Sequence, residues 1–131
     1  MIEHVFVFGS NLAGRHGRGA ALHAKMNYGA EYGVGIGRTG NAYAIPTKDE
    51  RLRVLPLSEI KPHVEEFLRY VALHPDTIFL LSAVGTGLAG YKLSEIQPLF
   101  FPPGKFVPFN VFLSSEWVNP ILSSQWDSGR N

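Results

Sequence analysis

The apolar positions of this 131-residue chain fall into short unbroken runs, separated by longer stretches with helical spacing. Val5-Phe6-Val7-Phe8 is too short for a helix and does not alternate, which predicts a strand covered on both faces. Thr77 to Ser82 is a second such run, and Ala42-Tyr43-Ala44-Ile45 is a shorter third that Pro46 is expected to end. Between the first and third runs, Ala20, Ala21, Leu22, Ala24, Lys25 and Met26 predict a helix from Gly19 to Tyr28, with Gly29 just past its end. Ile60, Val64, Phe67, Leu68 and Val71 lie on one stripe of a second helix, capped by Ser58 and running to Leu73, with Pro62 tolerated near its first turn. Ser94 and Gln97 have capping-box spacing and open a short helix to Phe100. Phe106 to Leu113 predicts a last strand that Pro108 confines to an edge or delays to Phe109, while Tyr32 to Gly40 is too glycine-rich to assign. Strands alternating with helices predict an α/β fold with a largely parallel sheet.

Two glycine-rich turns follow apolar strands: Gly9-Ser10-Asn11 through Gly17-Arg18-Gly19, and Gly85-Thr86-Gly87-Leu88-Ala89-Gly90-Tyr91. Glycine lets backbone N–H groups approach a ligand closely, and a following helix adds its positive end, so such turns suit phosphate. Glycine also serves any tight connection, and one turn alone is weak evidence. A pair is stronger, because loops leaving the carboxyl ends of parallel strands meet along one edge, where ligands bind. The pair points to a diphosphate.

Composition narrows the alternatives. The length and the 45% hydrophobic content suit a single domain, expected over residues 1–122, with a flexible tail over 123–131. A net charge of +1 creates no general attraction for nucleic acid or anionic membranes, so anion selectivity must be local. The absence of cysteine removes disulfides and thiolate chemistry, and no histidine has a ligand-spaced partner, so neither a metal nor another cofactor is expected. Because the chain opens directly into a strand and has no apolar run of membrane-spanning length, a cytoplasmic protein with no membrane partner is expected.

Side chains able to do chemistry are few. Arg15, His16 and Arg18 lie within the first turn, where Arg can grip phosphate and His16 is a candidate acid or base. Lys48 and Asp49 follow a strand and would reach the same edge, where Asp49 could accept from a ribose hydroxyl or polarise a water. Tyr91 could stack on a base or close the loop onto the core. No nucleophile elbow and no Walker sequence is present, so residue chemistry alone favours binding over catalysis.

The strand ending in Gly9-Ser10-Asn11, the Gly17-Arg18-Gly19-Ala20-Ala21 start of a helix and the Val84-Gly85-Thr86-Gly87-Leu88 turn resemble the macro domain family. The resemblance is nearest to the branch of the terminal ADP-ribose glycohydrolase and the antitoxins that reverse DNA ADP-ribosylation. It spans Val5 to about Phe100 and implies a three-layer α/β/α fold with a mixed, mostly parallel sheet. The implied ligand is ADP-ribose or a related nucleotide, free or attached to a macromolecule. Ser10 and Asn11 would approach the adenosine, and Gly17, Gly19 and Ala20, beside Arg18, would line the distal ribose and diphosphate. Gly85 to Gly90 would form the diphosphate loop, with Tyr91 flanking it.

Two departures bear on activity. Ala89 stands where that branch places its catalytic acid, and its catalytic lysine falls near Gly37 or Arg38. Three functions therefore stay open. The first is nucleotide binding; the second is hydrolytic removal of ADP-ribose, with His16, Lys48 or Asp49 as candidate catalytic groups and Arg38 as a further substitute. The third is an assembly domain that uses Phe100, Phe101, Phe106, Phe109, Phe112 and Trp117, and it leaves the oligomeric state undetermined.

Overall fold

In the computed structural model, which describes residues 2–118, the apolar runs assemble into one sheet. Strands β1 (Glu3–Asn11), β2 (Gly37–Thr39), β3 (Ala42–Lys48), β4 (Thr77–Leu81) and β5 (Val111–Leu113) lie in the order β2-β3-β1-β4-β5. All neighbours are parallel except β2, which pairs antiparallel with β3. The helices are α1 (Gly19–Tyr28), α2 (Leu57–Leu73), α3 (Leu93–Phe100) and the short α4 (Ser115–Val118). The end of the expected domain and the expected tail over 123–131 lie outside the described residues.

Alternation along β1 decides the layers. Val5 and Val7 face α2 and α3 in a core that also holds Ile60, Val64, Phe67, Phe79, Ile96 and Phe100, whereas Phe8 faces α1 with Ala21, Ala24, Ala42 and Ala44. Alanines on both α1 and β3 bring that helix close to the sheet on its side, which completes an α/β/α sandwich. Removing the Phe67 side chain, fully buried at the centre of the larger layer, costs about 3–5 kcal/mol.

Several element boundaries differ from expectation. Pro46 does not end β3, which continues to Lys48. Asn41 accepts from Phe6 N–H, so alternate β3 residues face β1 and Pro46 faces the other side, beyond the last β2 pairing at Ala44. Its missing donor therefore breaks no ladder bond. Helix α2 starts at Leu57 with Pro56 in the cap position, so Ser58 lies inside the helix and makes no cap bond. Pro62 consequently sits more than a turn inside α2. The last strand is only Val111–Leu113, with Phe106 (96% exposed) and Phe109 outside it. The capping bond of α3 lies two residues earlier than the Ser94/Gln97 spacing predicts, Glu95 accepting from Lys92 N–H at 3.0 Å. No described helix is long and apolar enough to cross a membrane.

Candidate functional site

The carboxyl ends of β3, β1, β4 and β5 form one edge, and above it lies a cleft of about 940 Å³. Four strands at about 4.8 Å spacing give that edge a span of about 14 Å, enough for an extended nucleotide. From the first turn the structure brings Gly9, Ser10, Asn11, Arg15, Gly17, Arg18, Gly19 and Ala20 to the cleft. From the second come Gly85, Thr86, Gly87, Leu88 and Ala89, while Gly90 and Tyr91 do not line it. Tyr91 turns inward and donates to the Leu55 carbonyl at 2.6 Å, closing the loop.

The first turn is held by its own polar side chains. Ser10 donates to the Gly35 carbonyl at 2.5 Å, and the Asn11 amide both donates to the Arg15 carbonyl and accepts from Arg15 N–H, each at 2.9 Å. These side chains shape the loop. His16 is fully buried, wedged edge-on to Phe8, and does not line the cleft. Its Nε2 lies 3.0 Å from the Val34 carbonyl, which can only accept, so that nitrogen carries the proton. Nδ1 has no partner among the described residues.

Residues 30–37 form the brace behind this turn. Gly33 N–H donates to Gly14 O at 2.8 Å, and a Cβ placed on Gly35 would overlap the Asn11 carbonyl oxygen, far inside van der Waals contact. Only glycine fits there. From the same brace Tyr32 reaches the cleft wall, 56% exposed, with Lys25 over its ring.

The second turn rests on the core. Gly85 has φ 82°, and its missing side chain makes room for Ile96, whose Cδ1 would lie 2.8 Å from any Cβ added there. Thr86 donates to Ala83 O at 2.7 Å. Gly17, Gly19 and Gly87 have open space where a Cβ would stand. Helix α1 has no side-chain cap at Arg18, and its first residues line the cleft, so its first N–H groups are available to an anion.

Lys48, Thr47 and Leu52 come from the end of β3 and the turn after it. Asp49 does not line the cleft: its carboxylate accepts from Arg51 N–H (2.8 Å), Arg53 N–H (2.9 Å) and Arg53 Nε (2.9 Å). The backbone N–H of Arg53 contributes most to holding this carboxyl below its usual pKa. Arg38 also points elsewhere, bonded to Glu3 Oε2 at 2.9 Å and to Tyr70 Oη at 3.3 Å in a separate recess with Tyr43 and Glu66. The Tyr70 hydroxyl is the main reason its pKa is raised, and burial pushes the neighbouring Tyr43 phenol up to about 12.

Glu116 was not legible as a site residue. It lines the cleft at the β5 end, opposite Lys48, because Trp117 anchors α4: its indole donates to Ser82 O at 3.0 Å and its ring packs on Phe100 and Phe101. Ser82, Ala83 and Val84 line the same wall. The sequence signal was a tryptophan among polar residues just after a strand. The cleft thus has cations at its β3 and α1 end and a carboxylate at the other.

No protein-family model matches the chain, and no curated protein matches it. Solved structures do. The macrodomain of Mycobacterium tuberculosis DarG superimposes with a TM-score of 0.58 at 18% identity, covering 86% of this chain and 88% of that one. A protein of unknown function from Bacteroides thetaiotaomicron gives the same TM-score at 13% identity, covering 86% of this chain and 87% of that one. The chain has the macrodomain fold, as its sequence resemblance implied.

Proposed function

We propose that this macrodomain-fold protein binds ADP-ribose or a related nucleotide diphosphate across its sheet edge. The observation that carries the reading is the convergence of two glycine turns and an uncapped helix start on one cleft, flanked by Arg15, Arg18 and Lys48. Backbone N–H groups and the helix end supply directional donors, and the three cations balance the ligand's charge. Glu116, at the far end, disfavours phosphate there and favours a hydrogen-bond donor, so it orients the ligand. Calorimetric titration with ADP-ribose and with NAD tests the reading. At least one is expected to bind with a micromolar Kd, about −8 kcal/mol. Arg15→Ala and Arg18→Ala should each weaken binding about tenfold, more at low salt, with Tm unchanged because both residues are exposed. No heat with either ligand rejects the reading.

Hydrolysis is the second reading, and the presence of both Lys48 and Glu116 in the cleft favours it. Ala89 leaves no acid beside the second turn, and Asp49 is engaged in its own loop, which together favour binding over turnover. Release of ADP-ribose from a modified protein or nucleic acid, lost in Lys48→Ala or Glu116→Gln, would establish hydrolysis.

A further inference from the structure

Leu52 is the only non-glycine residue with a left-handed backbone among the described residues, at φ 63°. A leucine there strains the chain, because its Cβ crowds the following carbonyl. Its side chain gains nothing from the core in exchange: it is 42% exposed and belongs to neither buried cluster. It does line the cleft, as Lys48 does.

The turn that holds Leu52 is over-determined. Asp49 N–H donates to Arg53 O at 2.8 Å and Leu52 N–H to Asp49 O at 3.1 Å, and an antiparallel bridge joins Lys48 to Val54. The Asp49 carboxylate adds its three bonds to Arg51 and Arg53. Asp49, which the sequence offered as a chemical group, acts here as a clamp. A strained residue held by so many contacts, with its apolar end in a cleft, indicates a binding role.

We infer that Leu52 is a positioning and specificity residue of the nucleotide site, held by the Asp49 clamp at the β3 end of the cleft. The inference rests on the nucleotide reading above. An isobutyl group offers no hydrogen bond, so it selects a carbon face, while Lys48, at the end of β3 in the same cleft, selects an anion. Together they suit a phosphorylated ring, such as a pentose with its carbon face against Leu52 and its phosphate toward Lys48. Leu52 also keeps water from that contact.

Two substitutions separate strain from binding. Leu52→Ala keeps the Cβ, and with it the strain, but removes the isobutyl group; Leu52→Gly removes both. Calorimetry with ADP-ribose should show about tenfold weaker binding in each variant. Tm should stay level in Leu52→Ala and rise by about 2–4 °C in Leu52→Gly. A variant that is more stable yet binds less tightly cannot owe its loss to misfolding. Wild-type binding that persists within twofold in both variants overturns the role of Leu52 alone, and a lower Tm in Leu52→Gly overturns the strained-turn account. Failure of the wild type to bind either ADP-ribose or NAD overturns the nucleotide reading and this inference with it.

Discussion

The two glycine turns look alike in sequence and are supported in different ways. The first is braced from the side by residues 30–37, through Ser10 to Gly35, His16 to Val34 and the close passage of Gly35 under Asn11. The second is braced from below, where Gly85 lies against Ile96 of α3 and Tyr91 reaches Leu55. A lateral brace made of backbone cannot yield to a misfit, because the atoms it would have to move carry the loop's own hydrogen bonds. A side-chain brace can yield. The two turns should therefore differ in how they fail.

The largest effect is expected at Gly35. A Cβ there would overlap the Asn11 carbonyl oxygen, a backbone atom with no room to move, so Gly35→Ala must separate the brace from the first turn. A loss above about 3 kcal/mol and a Tm lower by roughly 10 °C or more are expected in thermal unfolding, together with loss of ADP-ribose binding. A near-normal Tm would mean that the first turn does not depend on its brace.

Gly85→Ala should cost less, about 1–3 kcal/mol, from the positive φ and from the 2.8 Å approach to Ile96 Cδ1. Ile96→Val removes that methyl. The double variant Gly85→Ala/Ile96→Val should then lose less stability than the two single changes summed, a coupling that urea unfolding can measure. Ile96→Val should give no such relief to Gly35→Ala, since the nearest atoms to a Cβ at Gly35 are backbone atoms of the first turn, not Ile96. Equal coupling in both pairs would erase the distinction between the two supports.

This difference also marks the boundary of what sequence reading reaches. The buried strands, the α1 span with Gly29 at its end, and both glycine turns were legible, because apolar runs and glycine after a strand are local signals. The brace was not. Tyr32 to Gly40 has no apolar periodicity, and its purpose is set by partners such as Ser10, 25 residues away from Gly35. Gly33, Gly35 and Gly37 recur at every second position, which in hindsight fits an extended segment passing close to another backbone. Lys48 could be placed in the cleft from strand context alone. His16 and Asp49 share that context, yet one is buried and the other is bound to its own turn, and such commitments are set by geometry at the scale of single hydrogen bonds. Glu116 escaped notice because it follows a three-residue strand and sits on a four-residue helix, both too short to carry a pattern.

A third support, at the end of β3, is the one that ionises. The Asp49 carboxyl titrates below its usual value because Arg53 and Arg51 donate to its charged form. A depressed folded-state pKa contributes stability above the unfolded value of ~3.9, and that contribution disappears as pH falls through the folded value. Wild type should therefore exceed Asp49→Asn in Tm at neutral pH by a small margin. The margin should narrow as pH falls from ~3.9 and close below the lower folded-state value, where the wild-type carboxyl is protonated and resembles the amide. The deficit of Gly85→Ala arises from sterics with no ionising group at the contact, so it should persist over the same range. Parallel melts of the three proteins from pH 7 to pH 3 separate the electrostatic clamp from the steric one, and a wild-type to Asp49→Asn gap that is constant with pH would remove the charge from the account of the β3 turn.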